Sequence, residues 1–141
     1  MISRIRFEMR QIEWLFDSYA DLLDRCRQAP PDLVEMTAAA SVLHAFYNGL
    51  ENIFLAVAKE LDGTVPAGSS WHRDLLVLMS RDTPQRRRVI SEQTGEKLAA
   101  YLTFRHFFRH SYSFFLDWSR LEKLVIPLWE VWEQTRQDLE S

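Results

Sequence analysis

The residues best suited to chemistry lie close together near position 110, on an apolar and aromatic segment. They are two arginines, Arg105 and Arg109, two histidines, His106 and His110, and one tyrosine, Tyr112. No carboxylate occurs from position 97 to position 116, although the whole chain carries a net charge of −3. Cations without a local counter-charge indicate a site for an external anion, and phosphate is a common one.

Arg105 and His110 together have the chemistry needed to cleave a phosphodiester. A histidine gains and loses a proton near neutral pH, so it can activate a ribose 2′-OH or protonate the leaving 5′-oxygen. An arginine stays charged and stabilises the negative charge of the phosphorane. Such a mechanism requires RNA and no metal. The structural alternative is that Arg105 and Arg109 are solvated or pair with acids of other helices, and that His110 makes a helix-end hydrogen bond.

The spacing of this segment also suggests how the site is assembled. On one straight helix, Arg105 and Arg109 share a face, whereas His110 lies about 140° from Arg105 around the axis. Arg105 and His110 converge if the helix ends near His110, or if a second copy packs across a two-fold axis. The spacing therefore favours a homodimer. Tyr112 returns to the face of Arg105 if the helix continues that far.

Length and composition set the class of protein. The chain has 141 residues, of which 47% are hydrophobic, and this suits one domain over residues 1–141 with a substantial core. A single cysteine, Cys26, excludes an internal disulfide, and no signal-peptide pattern precedes the first polar helix. No apolar run is long enough to cross a bilayer. We expect a cytoplasmic protein that neither spans a membrane nor coats an extended nucleic acid, since the net charge is acidic.

Helical periodicity runs through most of the chain and predicts an all-α bundle of about five helices. Apolar residues recur three or four apart from Ile2 to Cys26, and Pro30 and Pro31 end this first helix. Asp32 caps a second helix with two adjacent apolar stripes. The predicted bundle has an up-and-down four-helix core and one short extra helix.

The remaining boundaries follow from local capping signals. Residues 62–70 have the composition of a helix end and a loop, and a short third helix follows over about residues 71–79. Thr83 and Pro84 begin either a helical turn or a loop, and the fourth helix starts near Ser91. A capping box of Ser119 and Glu122 is predicted to start the last helix, which Pro127 kinks or interrupts.

Other polar residues are candidates for parts of a site. The row His44, Asn48 and Glu51 either orients the cationic segment or, as the more frequent outcome, forms a solvated face. The imidazole of His72 suits the chemistry of a helix start better than catalysis. The run from Arg86 to Arg88 is most simply a solvated charge run, with RNA backbone contact as the alternative.

Two kinds of ligand site receive little support. His106 and His110 have the i, i+4 spacing of metal ligands, but no companion carboxylate lies nearby, so we expect no metal. The sequence also lacks a glycine-rich phosphate loop, and we expect no nucleotide cofactor.

The segment Arg105-His106-Phe107-Phe108-Arg109-His110-Ser111-Tyr112 resembles the Arg-x4-His-x-Tyr signature of HepT-type toxins of the HEPN superfamily. The polar residue after the arginine, His106, suits that pattern. The long second helix with residues 46–51 and the turn from Leu61 to Arg73 are also similar to the HepT-like ribonucleases, so the resemblance extends over most of the chain.

The resemblance implies a HEPN-type bundle and a metal-independent endoribonuclease that cleaves tRNA or mRNA. It implies a homodimeric site with catalytic Arg105 and His110 from both subunits, supported by His106, Arg109 and Glu51. It further implies a partner, a minimal nucleotidyltransferase antitoxin that adenylylates Tyr112. An alternative from another class is a catalytically silent HEPN module that binds nucleotide or scaffolds the nucleotidyltransferase. A third is a helical dimer without a site.

Overall fold

Helices account for most of the chain. The computed structural model describes residues 1–110 and 117–141, without the side chains of Arg109 and His110. The described residues form seven α-helices, which are α1 (Ile2–Ser18), α2 (Ala20–Gln28), α3 (Leu33–Val57), α4 (Trp71–Met79), α5 (Glu92–His110), α6 (Trp118–Val125) and α7 (Leu128–Glu140). A π-helical turn, Ala58–Asp62, extends α3. These two ranges contain no strand, and the predicted all-α, HEPN-type bundle is confirmed.

Helix α3 is the centre of the bundle, and α1, α2, α4, α5 and α6 all pack against it. Both of its predicted apolar stripes are buried, from Ala39 and Ala40 through Phe46 and Tyr47 to Val57. Trp132 of α7 is fully buried and its ring meets that of Phe46 edge-on. A helix buried on several sides needs apolar residues around most of its circumference, which explains the double stripe.

Close approach of α1 to α3 depends on a glycine. A Cβ added at Gly49 would lie 2.9 Å from Cγ1 of Ile12. Since Ile12 is itself buried in the core, this side chain has little room to move. Gly49 therefore sets the distance between the two helices.

Several predicted boundaries are confirmed by their capping chemistry. The carboxylate of Asp32 accepts from the backbone N–H of Glu35, whose side chain accepts in turn from the backbone N–H of Asp32. Gly63 ends the π-helical turn with a φ of 78°, in the left-handed region that favours glycine. Pro127 separates α6 from α7, because proline has no N–H to continue the helical bonding.

Two boundaries differ from the prediction. The first predicted helix is divided at Tyr19, where the hydroxyl of Ser18 donates to the carbonyl of Trp14 at 2.7 Å and competes with the helical ladder. The helix α6 is capped by Asp117, whose carboxylate accepts from the backbone N–H of Ser119 at 3.1 Å. The predicted capping box of Ser119 and Glu122 was wrong by two residues, because aspartate is the equally strong N-cap that precedes it.

The stretch from Thr83 to Ser91 is a loop with a tight turn, so the loop alternative is confirmed. Thr83 and Arg86 exchange two backbone hydrogen bonds. The Ser91 hydroxyl then accepts from the N–H of Thr94 and caps α5. Within the described residues, no helix is both long and apolar enough to cross a bilayer.

The prediction for Arg86 was wrong. Its guanidinium is buried and binds both carboxylate oxygens of Asp62 at 2.9 Å. It also donates to the backbone carbonyls of Leu78, Arg81 and Arg87. Arg86 therefore ties the loop before α5 to the end of the π-helical turn, while Arg87 and Arg88 are exposed as expected.

Candidate functional site

Helix α5 carries Arg105 on its buried face. Leu98, Tyr101 and Leu102 form the apolar stripe that packs into the core, and Arg105 continues this stripe one turn further. Only 9% of Arg105 is exposed. A buried guanidinium needs partners, because removing an ion from water without compensation is costly.

Two residues of α3 supply those partners. The Nε of Arg105 donates to Oδ1 of Asn48 at 2.6 Å, and its Nη2 lies 3.6 Å from Oε1 of Glu51. Asn48 and Glu51 are three residues apart, so both side chains reach the same side of α3. Glu51 is 5% exposed, so its interpretation as part of a solvated face was wrong. The alternative, that Asn48 and Glu51 orient the cationic segment, agrees with these contacts.

Arg105 therefore has a counter-charge from another helix, as the structural alternative expected. The sequence shows no carboxylate near Arg105, but Glu51 comes from 54 positions earlier in the chain. Arg105 also lines an open cleft. An arginine can bind a carboxylate with one edge and an anion with another, since it has five N–H donors.

The other oxygen of Glu51 binds His72, near the start of α4. The Nδ1 of His72 lies 2.7 Å from Oε2 of Glu51. A carboxylate only accepts hydrogen bonds, so this contact assigns the proton to Nδ1. Nη1 of Arg105 is 3.5 Å from the same nitrogen. Because a protonated Nδ1 cannot accept a hydrogen bond, this approach is a contact between neighbouring groups and not a hydrogen bond.

The two rings at the start of α4 stack on each other. The Trp71 and His72 ring centroids are 3.7 Å apart with an interplanar angle of 29°. Together with the bond to Glu51, this stacking holds the imidazole in one orientation. His72 lies in the first turn of α4, as the helix-start interpretation expects, but the hydrogen-bond partner of its side chain is on α3 and not within α4.

These side chains border a cleft of about 510 Å³ between the start of α4 and the second half of α5. Residues 68–73 form one wall, and the other contains Leu102, Thr103, Arg105 and His106. Arg73 adds a second cation to this lining. The first backbone N–H groups of α4 also lie at this wall, and a helix start attracts negative charge. The cleft is chemically suited to a phosphate group.

A buried tyrosine lies next to the same network. Burial raises the pKa of the Tyr47 hydroxyl above its ordinary value, and Glu51 raises this pKa further, whereas Arg105 lowers it. Tyr47 therefore stays neutral at physiological pH. The charges near the floor of the cleft come from Arg105 and Glu51.

The structure brings some of the predicted site residues together. Arg105 and His106 border the cleft, and Glu51 lies beneath it. The backbones of Arg109 and His110 belong to α5, but their side chains lie outside the described part. Tyr112 lies outside the described residues altogether. Because α5 is unbroken from Arg105 to His110, these two positions are about 140° apart around its axis.

Sequence reasoning missed the position of His72 and undervalued Asn48. Asn48 and Glu51 did carry a signal, since they are polar residues three apart on an otherwise apolar helix. His72 carried none, because its partner is 21 residues away and no local pattern links them.

The fold and the cleft define a class: an all-α bundle that presents a buried, carboxylate-paired arginine at the floor of an open cleft. Residues 38–141 match the family described as HepT-like protein, and this range includes the whole cleft. Because the match covers well over half of the chain, this protein belongs to the HepT-like family of the HEPN superfamily. Comparisons with curated proteins and with solved structures find no match.

Proposed function

We propose that this chain is the toxin of a toxin–antitoxin pair and acts as a metal-independent endoribonuclease. The observation that carries the proposal is the placement of Arg105, which Asn48 and Glu51 hold at the edge of a cleft suited to phosphate. Membership of the HepT-like family supports the toxin-like role.

The proposed reaction is attack of a ribose 2′-OH on the adjacent phosphorus. Arg105 stabilises the charge that develops on the phosphorane, and it does so from a fixed position because its Nε is bound to Asn48. His110 transfers a proton at the 2′-oxygen or at the leaving 5′-oxygen. Arg109 and His106 contact the RNA. The products are a 2′,3′-cyclic phosphate and a 5′-hydroxyl.

The proposed site is shared by two copies of the chain. Arg105 and His110 occupy different faces of one unbroken helix, so a single copy does not bring them to one phosphate. A two-fold axis near the end of α5 lets Arg105 of one copy act with His110 of the other. We therefore propose a homodimer.

The proposed regulation acts through Tyr112. A minimal nucleotidyltransferase antitoxin attaches AMP to its hydroxyl, two residues beyond His110. The added phosphate brings negative charge and bulk to the catalytic helix. RNA is then repelled electrostatically and its phosphate position is filled.

The experiment that tests the activity uses purified, unmodified protein and total RNA in excess EDTA. We expect cleavage with 2′,3′-cyclic phosphate ends by the wild type and none by His110→Ala. The same substitution should remove growth inhibition, while circular dichroism and size-exclusion chromatography show a folded dimer. Toxicity retained in His110→Ala contradicts the proposal.

Intact RNA from a folded, unmodified wild type supports the silent HEPN module instead. Regulation is tested separately by intact mass after co-expression with a neighbouring nucleotidyltransferase. A mass increase that disappears in Tyr112→Phe is expected. An unchanged mass contradicts adenylylation and leaves the ribonuclease proposal standing.

A further inference from the structure

The reaction proposed above does not use His72, although this residue has the features of a group that transfers protons. Its side chain is 27% exposed and borders the cleft, whereas the side chain of Glu51 beneath it is 6% exposed. The 2.7 Å contact from Nδ1 to Glu51 places the ring proton on the buried nitrogen. Nε2, at the far edge of the ring, is then the nitrogen with a free lone pair.

A carboxylate behind a histidine performs two tasks. It fixes the ring tautomer and orientation, and it stabilises the imidazolium that forms when the ring takes a proton. Nη1 of Arg105 lies 3.5 Å from the same ring. Glu51 contacts Arg105 and His72 through different oxygens and so holds the two side chains next to each other.

The same arrangement places the histidine beside Arg105, the residue proposed to bind phosphate. Arg105 and His72 border one cleft and touch one carboxylate, so a phosphate that binds Arg105 in this cleft is expected to lie close to the imidazole. Stacking on Trp71 limits rotation of the ring. A general base needs a proton acceptor held in a defined orientation beside the reacting group, and the contacts of His72 supply the defined orientation.

We propose that His72 is the general base of the site, an inference that rests on the proposed ribonuclease function. Nε2 of neutral His72 takes the proton of the ribose 2′-OH while the 2′-oxygen forms its bond to phosphorus. The bond from phosphorus to the 5′-oxygen then breaks, and protonated His110 gives its proton to that oxygen. His72 ends protonated and His110 neutral, and exchange with water restores both.

The test compares two substitutions of His72 that differ in what they preserve. His72→Ala removes the side chain. His72→Asn keeps an N–H that can donate to Glu51 but cannot transfer a proton. If His72 is the base, both variants lose about a hundredfold or more of the cleavage rate of wild type. If His72 only positions Arg105, the asparagine restores the rate to within a few-fold of wild type, and the inference is overturned.

A second substrate separates the base from the acid. The p-nitrophenyl ester of uridine 3′-phosphate has a leaving group that needs no proton. We expect His110→Ala to recover activity on this ester and His72→Asn to remain inactive. Recovery by His72→Asn overturns the assignment of His72 as the base. Wild-type rates in both His72 variants overturn it as well.

The outcomes distinguish this inference from the proposed function. If the wild type shows no His110-dependent cleavage of RNA, the ribonuclease itself is wrong. If the wild type cleaves and His72→Asn is equally active, only the role of His72 is wrong. Denaturant unfolding of each variant shows whether a lost rate reflects a lost fold.

Discussion

At the scale of single residues, the site is one carboxylate shared by an arginine and a histidine. Glu51 contacts Arg105 with one oxygen and His72 with the other, and Asn48 fixes the Nε of the arginine. Each of these groups is buried or half-buried, so water does not replace a lost partner easily. Substitutions here are expected to change the position of Arg105 before they change the fold.

Asn48→Ala removes the acceptor for Arg105 Nε. We expect the cleavage rate to fall by about tenfold to a hundredfold, because a small displacement of a catalytic group has effects of that order. The free energy of unfolding should fall by about 1–3 kcal/mol, the cost of an unsatisfied donor. The measurements are RNA cleavage kinetics and urea unfolding.

Asn52→Ala is the matched control for this prediction. Asn52 is on the same helix one turn further, but it is exposed and its amide donates to Glu8 at 3.4 Å. The control should cleave RNA at the wild-type rate. Equal losses in the two variants would show that Asn48 acts through helix stability and not through Arg105.

At the scale of elements, ion pairs and hydrogen bonds connect the ends of helices to neighbouring segments. The pair Asp62 and Arg86 connects the end of the π-helical turn to the loop before α5. Asp138 of α7 connects to the start of α5 through Ser91 and Thr94. Both ties fix the direction in which α5 enters the bundle, and α5 carries Arg105.

Arg86→Ala leaves the buried Asp62 carboxylate without its partner. We expect a loss of about 3–5 kcal/mol in the free energy of unfolding, as is usual when one member of a buried ion pair is removed. Arg87→Ala, at the adjacent exposed position, should change it by less than about 0.5 kcal/mol. Chemical denaturation of the two variants checks this, and similar losses in both would contradict the buried pair.

Asp138 makes part of the stability pH-dependent. Burial alone would raise its pKa, but hydrogen bonds from Ser91, Thr94 and Gln134 outweigh this and lower the pKa below 3.8. The folded protein thus keeps Asp138 ionised at pH values where the unfolded chain begins to bind a proton. The contribution of Asp138 to stability is fully present above the pKa that this carboxyl has in the unfolded chain. It is lost as the pH falls through the lower pKa of the carboxyl in the folded protein.

Asp138→Asn should therefore be less stable than wild type at pH 7, by about 1–2 kcal/mol, because neutral hydrogen bonds are weaker than charged ones. The difference in free energy of unfolding between wild type and Asp138→Asn should shrink as the pH falls below about 4, because aspartate becomes protonated in unfolded chains in this range. Urea unfolding across pH 2–7 measures it. Asp17→Asn, at an exposed position, is the control and should change the free energy of unfolding at pH 7 by less than about 0.5 kcal/mol.

At the scale of the whole molecule, the proposed site requires a second copy. One unbroken α5 holds Arg105 and His110 on different faces, and α3 covers the face that carries Arg105. Activity should therefore depend on assembly. Single-domain organisation over residues 1–141 and a cytoplasmic location remain predictions from the sequence.

Cleavage per chain should fall on dilution. We expect the specific rate to follow the fraction of dimer, because a separated copy lacks the partner's catalytic group. Cleavage kinetics and analytical ultracentrifugation over the same concentration range provide the comparison. A constant specific rate through a range where the chain is monomeric would exclude a shared site.

The sequence by itself determined the features that depend on neighbouring residues. The double stripe of α3, the cap at Asp32, the bounds of α4 and the break at Pro127 follow from helical periodicity and backbone chemistry within a few residues. The choice of Arg105 as a candidate also came from its local surroundings, an apolar segment without carboxylates.

Only the tertiary structure decided which polar groups meet. Arg105 binds Asn48 from 57 positions earlier, His72 binds Glu51 across 21 positions, and Arg86 binds Asp62 across 24. A helix pattern shows which side of its own axis a residue occupies, but it contains no information on which helix packs there. The packing of α3, α4 and α5 decided which groups become partners. It placed Asn48 and Glu51 beneath a cleft, where the sequence alone favoured a solvated face.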